Sequence, residues 1–187
     1  YDSVFPQYCS QIDVYEDVAL PVLDRFIKGY NAAIIAYGQT GGGKTFTMLG
    51  PDLDDPKMRW DRVPPETLGI IPRMATDLFH RLWRQEADDI QVRVSFMELY
   101  NEKLRDLLSA VDNDLTIRED KSRGLWITDA IEVPVWTTNE VMQVIRSGLM
   151  RRFTAATSSN AHSSRSHAIF LVSLRRANNQ SGKVKHS

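Results

Sequence analysis

One cysteine, no excess of either charge and no long apolar run are the first features of this 187-residue chain, and each removes a class of protein. A single thiol, Cys9, excludes an internal disulfide framework and fits a reducing compartment. Nothing around it suggests a metal site or a catalytic triad, so it reads as an ordinary thiol. Lys and Arg number 23 against 24 Asp and Glu, a formal net charge of −1. No overall basic field therefore argues for nucleic acid, although a local patch still suits an acidic partner. No stretch approaches the roughly 20 apolar residues that a membrane span needs, and the N-terminus lacks a signal-peptide layout. The expectation is a soluble intracellular protein with no membrane insertion. At 42% hydrophobic residues the chain has enough apolar material for one domain with a core, and too little length for a second.

What is present is led by Gly38-Gln39-Thr40-Gly41-Gly42-Gly43-Lys44-Thr45, which fits GxxxxGK[ST] at every required position. Glycines let successive backbone N–H groups curl around an anion and tolerate φ > 0 where a Cβ would clash. In that pattern Lys44 reaches the β- and γ-phosphates as a point charge and the Thr45 hydroxyl sits on Mg²⁺. Upstream, Ala32-Ala33-Ile34-Ile35-Ala36-Tyr37 reads as a strand buried on both faces; downstream, Phe46-Thr47-Met48-Leu49 can begin a helix. Strand, glycine-rich loop and helix start stand in the order the motif requires. A glycine-rich turn with a solvated lysine is the competing reading, and the context weighs against it.

Ser10, with Asp13 three residues on, resembles a capping box. Ile12, Tyr15, Val18, Val22, Leu23 and Phe26 then recur at helical spacing up to Gly29, an amphipathic helix with Pro21 as a site for a kink. A strand around Val4-Phe5, this helix and the P-loop strand would compose one crossover unit, which makes the fold class α/β. The helix begun at Lys44 soon meets Gly50-Pro51 and a polar stretch through Pro64-Pro65. A helical pattern resumes with Ile71, Met74, Leu78, Phe79 and Leu82, which predicts one element interrupted by an insertion. Ile90, Val92, Val94 and Phe96 alternate with polar residues as a strand that Glu98 to Glu102 ends, and Leu104, Leu107 and Leu108 suggest a short helical segment. Small strands and turns are expected from Leu115 to Thr137. Thr138 then caps a helix with Glu140 in its first turn and Val141, Val144, Ile145 and Leu149 on one face. Residues 154–167 read as an exposed polar loop, Ala168 to Leu174 as a buried strand and 175–187 as a loose tail.

Asn160, Ser163, Ser164 and Arg165 lie in that polar loop, where hydroxyls and a guanidinium are able to close over a γ-phosphate and its Mg²⁺. On composition alone they read equally as a solvated Ser/Thr loop. His162 and His167 lack partners at metal-ligand spacing. Four motifs together carry a resemblance: GQTGGGKT preceded by Ala36-Tyr37, Gly69-Ile70-Ile71-Pro72-Arg73, Glu98-Leu99-Tyr100-Asn101-Glu102, and Asn160-Ala161-His162-Ser163-Ser164-Arg165-Ser166-His167. In this order, and over nearly the whole chain, they resemble the kinesin motor domain.

The resemblance implies a P-loop NTPase, an α/β motor domain with a central mostly parallel or mixed sheet flanked by helices. It would span residues 1–187, with the P-loop at 38–45, a loop insertion at 50–68 and switch I at 154–167. ATP and Mg²⁺ are the implied cofactors and microtubules the implied partner, in the cytoplasm on the cytoskeleton. Gly38, Gln39, Thr40, Gly41, Gly42, Gly43, Lys44 and Thr45 would wrap the phosphates, and Phe46 would stack on the adenine, with a core phenylalanine as its alternative. Thr45 and Ser164 would hold Mg²⁺. Ser163 and Ser164, in the same loop as Asn160, would support the metal shell and the attacking water, while Arg165 would pair with an acid in switch II. Gly42 departs from the family, which more often has a small hydroxyl or alanine there. Lys121 to Arg123 falls where the family fold nears its track, or is a charged turn.

Neither the Asp-x-x-Gly of switch II nor an Arg-x-Arg-Pro-type adenine contact occurs in the sequence. The resemblance thus implies a fragment that opens mid-sheet and closes after switch I, with any oligomerisation left to regions outside it. An unpaired apolar edge beside the P-loop strand would make it poorly stable and prone to aggregate. An ATP-hydrolysing microtubule motor is the leading reading, and a truncated or degenerate relative that binds nucleotide without completing hydrolysis is the alternative. Myosin, whose switch I also carries Asn and paired serines, is opposed by Ser164 to His167 and by Tyr100-Asn101-Glu102.

Overall fold

The computed structural model describes residues 1–51, 60–84, 90–121, 124–157, 166–177 and 184–186. They fall into two compact units, Tyr1–Gln91 with Trp136–Met142 and Leu174–Ser187, and Val92–Val135 with Gln143–Ser173.

In the first unit the expected capping box is present. The Ser10 Oγ accepts from the Asp13 N–H at 3.3 Å, and the Asp13 carboxylate accepts from the Ser10 N–H at 2.8 Å. Helix α1 (Gln11–Val14) passes through a π turn (Tyr15–Ala19) into α2 (Leu20–Ile27). Pro21 sits in the first turn of α2. Lacking an N–H and crowding the carbonyl four residues back, it disfavours regular α pairing there, and the wider π turn makes room. Tyr15 and Ala19 from this turn bury against Ile70, with Ile34, Met48 and Met74 packed around them.

Helix α3 (Lys44–Leu49) stops at Gly50, whose φ of 104° ends the helical path. Helix α4 (Ile70–Leu82) begins beside that stop: the Gly69 N–H donates to the Leu49 carbonyl at 3.2 Å. The approach requires glycine, because a Cβ on Gly69 would lie 2.5 Å from the Leu49 nitrogen. Two helical pieces meeting across an inserted segment is what the interrupted pattern predicts. Two other expectations are corrected. Ala32 to Tyr37 joins no strand among the described residues, with Ile35 84% and Tyr37 96% exposed, and Val4-Phe5 is not a strand either. An apolar run becomes a strand only when neighbours take up its backbone N–H and C=O groups.

The second unit is built on a sheet in the order β4-β3-β2-β1-β6, with β5 also on β1. Strand β1 (Ile90–Tyr100) turns through Asn101 and Glu102, at φ 50° and 63°, into β2 (Lys103–Asp106). Tyr100 faces Lys103 and Met97 faces Asp106, a two-residue hairpin. The helical segment expected around Leu104 is therefore a strand. Glu102 occupies the turn position where glycine would have signalled the hairpin in the sequence. Strands β3 (Asp114–Asp120), β4 (Gly124–Thr128) and β5 (Val133–Val135) are the small strands expected, and β2–β3, β3–β4 and β1–β5 pair antiparallel, as β1–β2 does.

Helix α5 (Thr138–Thr157) extends into the residues read as loop, as far as 157. Its cap lies one residue earlier than expected. The Thr137 Oγ1 accepts from the Glu140 N–H at 3.2 Å, and the Glu140 carboxylate accepts from the N–H groups of Thr137 at 3.1 Å and Trp136 at 2.6 Å. Gly148 brings α5 onto β1, since a Cβ there would stand 2.2 Å from Cδ1 of Phe96. Strand β6 (His167–Ala177) is longer than expected and not fully buried, Leu171 being 44% exposed. In place of a loose tail, Val184–His186 forms β7, antiparallel to β6 with Ala177 opposite Val184.

Candidate functional site

The P-loop residues lie together in the first unit as one solvent-facing turn leading into α3. Gly41 and Gly43 take φ of 78° and 81°, so two of the motif glycines occupy the left-handed backbone that the pattern requires. Gly42 has less freedom than its type suggests. Its N–H donates to the Gln39 carbonyl at 3.1 Å, and a Cβ would lie 3.0 Å from that oxygen. The small residue expected from the family at this position therefore requires the loop to open by a few tenths of an ångström.

Lys44 folds back over the loop, its Nζ donating to the carbonyls of Gly38 at 2.8 Å and Gln39 at 2.7 Å. An ammonium carries three donors, so this geometry holds the charge over the turn with one N–H still to give. Thr45 is exposed in the first turn of α3, and Phe46 follows with 49% of its surface open. At that exposure Phe46 is not the core phenylalanine that was the alternative to a base-stacking role.

Behind the loop lies a residue that sequence reasoning missed. Gln11, buried at the start of α1, donates its amide Nε2 to the Phe46 carbonyl at 2.6 Å and the Thr67 carbonyl at 3.4 Å. The Phe46 carbonyl already accepts from the Gly50 N–H at 2.8 Å, and Gln11 adds a second donor that ties the end of this short helix to the start of α1. Its polar type at a helix start carries no warning of burial. Cys9, also nearby in the chain, has its thiol held above the ordinary value by desolvation and by the Asp13 carboxylate, which makes it no activated nucleophile.

Asn160, Ser163, Ser164 and Arg165 lie outside the described residues, as do Ser122 and Arg123 of the Lys121 to Arg123 segment. The ends of the 158–165 stretch are described. Arg152, on the last turns of α5, donates through Nε to Glu98 Oε1 at 2.9 Å and through Nη2 to the Ser166 Oγ at 2.9 Å. The Ser166 hydroxyl donates in turn to the same Glu98 oxygen at 2.5 Å. No sequence pattern singles out Arg152.

All 187 residues match the family model for the kinesin motor domain. The chain belongs to that family. It is 38% identical over 186 residues to a kinesin heavy chain of Neurospora crassa, covering 99% of this chain and 19% of that protein. With the kinesin-like protein KIF11-A of Xenopus laevis it shares 43% identity over 179 residues, 93% of this chain and 16% of the relative. A solved structure of a fast kinesin superposes with a TM-score of 0.87 at 36% identity, covering the whole of this chain and 50% of that one. The chain thus spans about half of a solved kinesin structure and about a fifth of the heavy chains it matches. The mixed α/β class and the P-loop architecture expected from the motifs are those of the kinesin motor domain.

Proposed function

We propose that this chain is the nucleotide-binding portion of a microtubule-stimulated ATPase motor. The observation that carries the reading is the loop at 38–45, with left-handed Gly41 and Gly43 and the Lys44 ammonium held on the Gly38 and Gln39 carbonyls. That donor set fits a triphosphate: backbone N–H groups for the anion, one mobile cation for the β- and γ-oxygens, and the exposed Thr45 hydroxyl for a divalent ion. Mg²⁺, when bound with ATP, would neutralise charge on the phosphates. Lys44 would trade its carbonyl partners for phosphate oxygens, Gly38 to Thr45 would orient the triphosphate, and Phe46 would stack on the base. Asn160, Ser163, Ser164 and Arg165 would act as switch I, holding the Mg²⁺ shell with Ser164 and placing water for attack. Support for this assignment comes from membership of the family and from the likeness to the fast kinesin, a protein whose structure bears on its ATPase mechanism and its interactions with microtubules. Acidic tubulin on the cytoskeleton is the partner this reading implies.

The test is phosphate release from ATP by the product of the full open reading frame, with and without microtubules, and with Lys44→Ala as blank. The expected result is microtubule-stimulated turnover that falls by at least about 100-fold in Lys44→Ala, the scale of removing one transition-state charge contact. Nucleotide binding without turnover would favour the reading of a relative that does not complete hydrolysis.

A further inference from the structure

Within the second unit, Glu98 is buried to 2% exposure on β1, a strand otherwise filled there by Phe96 and Met97. A carboxylate at that depth requires partners, and a buried ion pair by itself gives little net stability. Its partners are distributed in a particular way. Arg152 Nε reaches Oε1 from α5 at 2.9 Å, and the Ser166 hydroxyl reaches the same oxygen at 2.5 Å from the residue just before β6. Arg152 closes the triangle, donating through Nη2 to the Ser166 Oγ at 2.9 Å and to the Ser166 carbonyl at 3.2 Å. Two donors, from α5 and from the residue ahead of β6, therefore converge on one carboxylate oxygen of β1.

The two residues that Glu98 gathers lie on either side of the stretch carrying the switch I residues. Arg152 precedes Asn160 by eight positions along the chain, and Ser166 follows Arg165 directly. We infer that Glu98 is a positioning residue for the proposed hydrolysis: through Arg152 and Ser166 it holds both ends of switch I in register with β1. The inference rests on the proposed ATPase reading. None of the three side chains needs to touch nucleotide; the network acts by fixing where the chain enters and leaves. Charge-assisted bonds in a dry setting suit such a role, since they are short and directional. Small misplacements are costly, because a shift of about 1 Å at a reacting group can lower a rate by about 100-fold.

Ser166→Ala is the informative variant, because it removes both hydroxyl bonds at the exit and leaves the Glu98–Arg152 pair and the Arg152 bond to the Ser166 carbonyl in place. In the full reading-frame product, kcat for ATP should fall about tenfold or more while KM and the affinity for a fluorescent ADP stay within about twofold. Ser166→Thr, which keeps the hydroxyl, should restore kcat, and Glu98→Gln should lower it as Ser166→Ala does. Limited trypsin cleavage after Arg165, scored against cleavage after Arg62, should quicken in Ser166→Ala and not in Ser166→Thr. Wild-type kcat in Ser166→Ala, or a loss accompanied by an equal loss of ADP affinity, would overturn the inference. A wild-type protein with no turnover would overturn the ATPase reading, and the inference with it, so the two failures are told apart by the wild-type control.

Discussion

Asp106 shows how much a single buried carboxylate can settle. One oxygen accepts from the Leu108 N–H and the other from the Ile131 N–H, both at 2.7 Å. Asp106→Ala orphans both donors, and we expect a loss of about 2–4 kcal/mol in urea unfolding, from two charge-assisted bonds removed at one site. Glu102 argues in the opposite direction. Its φ of 63° places a Cβ where the following carbonyl crowds it, so Glu102→Gly should raise stability by about 0.5–1 kcal/mol, read from the urea midpoint. Gly148 sets two effects against each other. Helix propensity favours alanine in α5 by about 1 kcal/mol, but the new Cβ would overlap the Phe96 ring, which already packs edge-on against Phe170 at 5.8 Å. Overpacking should win, with Gly148→Ala destabilised by about 1–3 kcal/mol in the same assay.

Among the elements, α1 has a start that is tied to pH. The Ser10 hydroxyl and N–H both bond the Asp13 carboxylate and hold its pKa below the ordinary 3.8. A depressed folded value means the contribution is complete above the unfolded pKa and is lost as pH falls through the folded one. The thermal midpoint should therefore drop as pH is lowered beneath about 4, and less steeply in Asp13→Asn, which carries no charge to titrate. Helix α5 has the same reciprocal cap geometry, with Thr137 and Glu140 exchanging bonds at its start. Elsewhere in the first unit, Tyr15 joins the π turn to α4, its hydroxyl donating to Asp77 at 2.5 Å, and burial followed by that contact raises its pKa. Arg81 of α4 pairs with Asp24 of α2. The π turn therefore places a buried aromatic and its polar tip at once, which an uninterrupted helix would have rotated away.

At the scale of the whole chain, the apolar surface left open ahead of the P-loop is the feature with consequences in solution. Ile35 and Tyr37 are almost wholly exposed, just ahead of Gly38, which opens the glycine-rich loop. We expect the 187-residue chain to bind ANS in native buffer, and Ile35→Thr with Tyr37→Ser to reduce that signal without altering fluorescent-ADP affinity. Undiminished ANS fluorescence in the double variant would place the dye elsewhere.

Local chemistry was legible in the sequence wherever the cause was itself local. The P-loop follows from glycine spacing, the Ser10–Asp13 box from two side chains one turn apart, the interrupted helix from Gly50-Pro51, and membership of the kinesin motor domain from four motifs in order. The readings that failed needed a partner remote in the chain. Ala32 to Tyr37 has the composition of a buried strand, but a strand is completed by its neighbours, and composition cannot supply them. Leu104 sits at a spacing that suits a helix, yet the Asn101-Glu102 turn delivers it opposite Leu99, and pairing overrides the pattern. Glu98 was visible as part of a motif, and its meaning was not, because Arg152 and Ser166 are 54 and 68 residues away along the chain. Sequence by itself determined the family and the glycine-rich loop, since backbone conformation and charge are carried by adjacent residues; only the tertiary structure decided which polar groups are buried together, because burial depends on elements that meet in space.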